Sequence, residues 1–145
     1  MPVVAVLDAS AVTAFLLREK GSDAVRRIID AGAVVTATGL GETLATCRRR
    51  GHPRTRDQLV QDLDAYGLGV EPVTAEDGVE IAFLLDQSDR MRETVEAGQN
   101  SGRGSLSLGD AACLAVAKRL ELPAVMSDGT WEVIDLGGIK VLPFR

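Results

Sequence analysis

Five short runs of branched and apolar residues punctuate this chain, and a stretch of helical character separates each of the first three from the next. The runs are "VVAVLD" (3–8), "AVVTA" (33–37), "GVEPV" (69–73), "PAVMSD" (123–128) and "IKVLPF" (139–144). Runs of this length, rich in valine and isoleucine, read as buried strands. Strands joined through helices pair in parallel, and the helices cover both faces of the sheet. The sequence therefore predicts an α/β fold: a three-layer α/β/α domain with a central, mostly parallel sheet. The chain has 145 residues, enough for one genuine core. Nothing in it reads as a linker or a repeat, so residues 1–145 are expected to form a single domain.

Helices are expected over "ASAVTAFLLRE" (9–19), "SDAVRRIIDAG" (22–32), "LGETLATCRRRG" (40–51) and "PRTRDQLVQDLDAYG" (53–67). A longer one is expected over 75–97, around Val79, Ile81, Leu84 and Leu85, and another over "LSLGDAACLAVA" (106–117). Between these two, "GQNSGRGS" (98–105) reads as a flexible connection.

Composition removes several functions. The single histidine, His52, excludes a nuclease that uses a histidine pair as acid and base, and weighs against a histidine-rich zinc site. Cys47 and Cys113 are far apart, with no CxxC, and read as free thiols packed in helices. A net charge of -5 argues against broad, sequence-independent duplex binding. With three Phe, one Tyr and one Trp, the chain lacks the makings of a base-stacking platform. No apolar run approaches the roughly 18 residues of a membrane span. The N-terminus lacks a basic region before its apolar stretch, which Asp8 interrupts, so a cytoplasmic location is expected.

Carboxylates must then carry any hydrolytic chemistry. Asp110 is the one charged residue in "LSLGDAACLAVA", and on a helix it shares a face with Cys113, Leu114 and Ala117. A carboxylate on a buried face costs several kcal/mol unless something pairs with it. Asp8 ends the first strand and Asp128 the fourth. Glu42 is placed in the first turn of the helix after the second strand. In a parallel sheet these acids reach one edge, beyond the carboxyl ends of the strands, where ligands bind in open α/β sheets. Each also has an ordinary local explanation. Asp8 can cap a helix, Ser107 and Asp110 can form a capping box, Glu42 suits a helix dipole, and Asp128-Gly129 makes a good turn. Together, four repelling acids make sense around one or two Mg²⁺ or Mn²⁺ ions.

The stretches "VLDASAVTAFLL", "GETLATCRRRG", "SLGDAACLAVA" and "SDGTW", in this order and spacing, resemble the PIN-domain ribonucleases. The likeness is greatest to the VapC-type toxins of toxin–antitoxin pairs and runs from Val4 to Phe144. The family's acidic quartet matches Asp8, Glu42, Asp110 and Asp128. Its hydroxyl beside the first acid matches Ser10, and its aromatic after the last acid matches Trp131. One departure is Met126, where family members usually have Thr; Ser127 follows it. Residues 88–105 are also longer and more polar than usual.

The resemblance implies an Mg²⁺- or Mn²⁺-dependent endoribonuclease that cleaves RNA phosphodiester bonds, leaving 5′-phosphate and 3′-hydroxyl ends. Asp8 and Asp110 are expected to hold the principal ion, and Glu42 and Asp128 a second ion or its waters. Ser10 is a candidate contact to phosphate. RNA approaching acids needs positive charge nearby, and Arg48, Arg49, Arg50, Arg54 and Arg56 fall within nine residues. Those arginines also suit a solvated helix C-terminus. The resemblance further implies a VapB-type antitoxin partner and a homodimer. Two other readings stay open. One is a catalytically silent PIN scaffold that binds RNA or protein. The other is a haloacid-dehalogenase-like phosphatase, which wants a second acid where Ser10 stands.

Overall fold

The computed structural model describes residues 2–97, 106–127 and 138–145, with 91–97 described for backbone alone. Along the chain the elements are β1 (Ala5–Leu7), α1 (Ala9–Leu17), α2 (Ser22–Gly32), β2 (Ala33–Thr36), α3 (Ala37–Arg49) and α4 (Arg56–Tyr66). Then come β3 (Gly69–Glu71), α5 (Ala75–Ala97), α6 (Leu108–Leu120), β4 (Ala124–Met126) and β5 (Val141–Pro143). All five runs read as strands from the sequence become strands. They form one sheet in the order β3-β2-β1-β4-β5. Every pairing is parallel: Leu7 lies opposite Val35 on one side and Val125 on the other.

The side-chain period of two divides the core in two. Ala5, Leu7, Val35 and Val125 point to one face, where they pack with Val12 and Phe15 of α1, Val25 and Ile29 of α2, and Leu63 of α4. Val6, Val34, Ala124 and Met126 point to the other, under α6 and Leu84 of α5. These two apolar layers are the physical content of the three-layer α/β/α architecture. Met126, at the position noted as a departure, is 1% exposed and belongs to the core beneath α6.

α6 lies deepest of the helices. All seven residues from Ala111 to Ala117 are buried. Six are alanine, cysteine or valine in place of larger side chains, so the helix can approach the sheet closely. Its last turn is anchored by Arg119. Arg119 Nε donates to both oxygens of Asp77 at 3.0 and 3.2 Å, Nη1 donates to Glu71 at 3.1 Å and Nη2 to the Pro72 carbonyl at 3.0 Å. Burial opposes charge on Asp77, but the hydrogen bonds from Arg119 and Thr74 outweigh it and hold the carboxyl below its ordinary range.

The sheet closes at β5. Phe144 packs over Gly21, which precedes α2 as its N-cap at φ 91°, a backbone conformation that favours glycine. A Cβ at Gly21 would lie 2.7 Å from both the Phe144 ring and its carbonyl oxygen. The topology places β1 between β2 and β4, so crossovers leave it toward opposite sides. Such a point opens a crevice beyond the carboxyl ends of the strands.

Candidate functional site

Asp8 is the first residue beyond β1, at that crevice. Its N–H donates to the Val125 carbonyl at 3.0 Å, which ties it to β4. With extended backbone it caps α1: Oδ1 accepts from Ala11 N at 2.9 Å. Ser10 Oγ donates to Oδ1 at 2.7 Å and is 2.9 Å from Oδ2. The carboxylate is thereby fixed in direction, and it is 4% exposed. Burial raises its pKa from 3.8 to about 6. The hydrogen bonds from Ser10 and Ala11 oppose the rise, while the charges of Asp110 and Glu42 add to it.

Asp110 arrives on the first turn of α6. Ser107 Oγ accepts from Asp110 N at 3.0 Å, and Asp110 Oδ2 accepts from Ser107 N at 3.2 Å, a complete capping box. The ordinary role foreseen for these two residues is thus real. It coexists with nearness to Asp8, because the box turns the half-buried Asp110 toward the same edge.

Glu42 stands one turn later in its helix than expected. The sequence predicts that this helix starts at residue 40, but α3 begins at Ala37. Thr36 caps it by accepting from Gly39 N at 2.8 Å. Glu42 therefore belongs to the second turn. Its neighbour Thr43 is fully buried and donates to the Ala9 carbonyl at 3.3 Å, fastening α3 to the start of α1 just beyond Asp8. Thr43 escaped the sequence reading. The signal available was the four-residue spacing of Gly39, Thr43 and Cys47, which form the buried stripe of α3. The Glu42 carboxyl is pushed above its ordinary range, by burial first and by Asp110 second.

Three of the four expected acids are thus brought into mutual electrostatic contact. The fourth, Asp128, and with it Trp131, lies outside the described residues. Cys113 is buried behind the cluster, and its thiol is pushed up by burial and then by Asp8 and Asp110. Among the described residues no three such groups converge closely enough to enclose a metal ion as they stand. The donor chemistry nevertheless suits a hard divalent cation: carboxylate oxygens, like charges close together, and two acids, Asp8 and Glu42, whose ionisation is opposed by burial.

The arginine cluster is less free than its sequence suggests. Arg50 donates to Glu19 at 2.8 Å, Arg54 holds Asp62 through two bonds of 2.9 and 2.7 Å, and Arg56 is 3.5 Å from Asp57. Arg49 reaches Thr46 at 3.1 Å. Arg48 and Arg49 stay exposed on the last turn of α3, roughly 10 Å along the helix axis from Glu42 at 1.5 Å per residue. His52, the single histidine, is half-buried. Its Nε2 lies 3.2 Å from the Leu16 carbonyl, and its Nδ1 accepts from Arg54 N at 3.0 Å. A separate groove of about 1260 Å³, floored by Phe15, Leu59 and Tyr66, runs between α1, α2 and α4; none of the three acids lines it.

Comparison with known proteins gives this geometry a lineage. VapC20 of Mycobacterium tuberculosis, described as a toxin that cleaves the sarcin-ricin loop, superposes with a TM-score of 0.66 at 18% identity, over 93% of this chain and 95% of that one. VapBC2 from Rickettsia felis, bound to a DNA fragment from its promoter, gives 0.63 at 12% identity over 97% and 98%. DNA-bound VapBC from Salmonella typhimurium gives 0.63 at 10% identity over 99% and 100%. At these identities the likeness is one of fold. No curated protein is significantly similar in sequence. The PIN domain, however, matches residues 5–136, from the first residue of β1 to beyond Asp128. The chain belongs to the PIN domain family.

Proposed function

We propose that this protein is a divalent-metal-dependent endoribonuclease of the VapC toxin type. The observation that carries the reading is Asp8: a buried carboxylate at the end of the central strand, held in direction by Ser10 and Ala11 and facing the charges of Asp110 and Glu42. Such an arrangement is costly for a protein that does nothing with it. Membership of the PIN family and the likeness to toxin folds support the same reading.

Asp8 and Asp110 would hold an Mg²⁺ or Mn²⁺ ion, and Glu42, with Asp128, a second ion or its waters. When bound, the ion supplies charge neutralisation and Lewis acidity at the scissile phosphate. The chain supplies the rest. Ser10 keeps both Asp8 oxygens aimed at the crevice, and so acts on the acid before it acts on substrate. Burial limits the water that competes for the Asp8 oxygens. Arg48 and Arg49 would meet RNA phosphates as they approach. Arg50 is committed to Glu19 and can contribute only by exchanging that partner.

The partner this reading carries is a VapB-type antitoxin that places a cationic side chain in the acidic cluster. The toxin itself would pair as a homodimer. A cytoplasmic location suits both. Among the described residues no helix is long and apolar enough to cross a membrane.

Incubating the purified protein with RNA and Mn²⁺, with and without EDTA, tests the proposal. Cleavage that needs the ion and disappears in Asp8→Asn is the expected result. Cleavage indifferent to EDTA or to Asp8→Asn would overturn it, and RNA binding without cleavage would point to a silent scaffold.

A further inference from the structure

Gly109 is the second residue of α6, directly before Asp110. A Cβ built on it would run into Glu42 Oε1, and would lie 2.6 Å from Glu42 Cδ and 3.0 Å from Oε2. The Glu42 carboxylate therefore rests on bare backbone at the first turn of α6. That contact joins α3 to α6 beside the acids.

Nothing in the local backbone demands glycine there. Gly109 is not among the residues with positive φ. Alanine is better than glycine inside a helix by about 1 kcal/mol, so the fold alone would favour a side chain. The group that a side chain would strike is also the flexible end of a glutamate, which can swing aside without moving either helix. A larger residue at 109 is thus compatible with folding and incompatible with this position of Glu42.

We infer that Gly109 is a positioning residue, whose missing side chain admits the Glu42 carboxylate to the Asp8–Asp110 cluster and so sets the share of Glu42 in divalent-ion binding. The inference rests on the acids being an ion site, as proposed above. Its test reads ion binding and folding, not turnover.

Mn²⁺ binding to the full chain is measured by electron paramagnetic resonance of the free ion. The proteins compared are the unsubstituted chain, Gly109→Ala, Glu42→Gln and the double variant. Gly109→Ala is expected to weaken binding about tenfold, the scale for disturbing groups around a metal. Glu42→Gln should match it, and the double variant should lose no more than either single change. The urea midpoint of Gly109→Ala in EDTA should stay level or rise. If Gly109→Ala binds Mn²⁺ as tightly as the unsubstituted chain while Glu42→Gln binds weakly, the inference falls and the ion site stands. Additive losses would likewise overturn it. No Mn²⁺ binding by the unsubstituted chain would overturn both.

Discussion

Asp8→Asn should make the metal-free protein more stable at neutral pH while disabling it as an ion site. The folded chain raises the Asp8 pKa from 3.8 to about 6, chiefly by burial. At about 1.36 kcal/mol per pKa unit, ionised Asp8 costs the fold about 3 kcal/mol at pH 7. Asparagine removes that cost and still caps α1, since its carbonyl can accept from Ala11 N and asparagine caps as well as aspartate. The pKa of about 6 already includes the opposing bonds from Ser10 and Ala11, so the gain is about 3 kcal/mol, or about 9 °C in Tm for a chain of this length. The pH dependence has a definite sign. The folded carboxyl keeps its proton after the unfolded chain has lost it. Its contribution to stability is therefore full below pH 3.8 and is lost as the pH rises through about 6. The gap between variant and unsubstituted protein should thus be small at pH 4 and open fully by pH 7.5. Urea unfolding followed by circular dichroism in EDTA at both pH values measures it. A variant less stable than the parent at pH 7.5, or a gap equal at both pH values, would refute the reasoning.

Two further outcomes follow from the packing. Arg119→Ala strands Asp77, whose side chain is 1% exposed, and should cost about 3 kcal/mol in urea unfolding. A loss below about 1 kcal/mol would mean that Thr74 alone satisfies the carboxylate. Cys47 and Cys113 are both buried with thiols pushed up, so neither should react with a disulfide reagent at pH 8 until the protein unfolds. Rapid labelling of the native protein would show that α3 or α6 opens locally.

Strands were legible because burial on both faces leaves a compositional mark: "VVAVL", "AVVT" and "AVM" have no polar alternation to confuse them. The edge at which Asp8, Glu42 and Asp110 gather followed from parallel pairing alone. The start of α3 did not. Thr36, Ala37, Thr38 and Gly39 carry turn chemistry. What makes them cap and helix is the Thr36 hydroxyl, together with the absence of a Cβ at Gly39, where one would lie 3.0 Å from Val35 Cγ2. The fate of the arginines was equally hidden. Glu19 lies 31 residues before Arg50, and no local pattern pairs them. The same holds for His52, whose partner on α1 is 36 residues away.

The enclosure of α6 has a dynamic consequence. A helix whose central seven residues are all buried exchanges its amide hydrogens only when the molecule opens globally. Asp110 is bolted to the front of that helix, and Asp8 to the strand beneath it. The two acids therefore inherit the slowest-moving part of the molecule. If an ion binds there as proposed, it would meet a mould already cast, and of the three described acids Glu42, on the exposed flank, would be the one able to adjust.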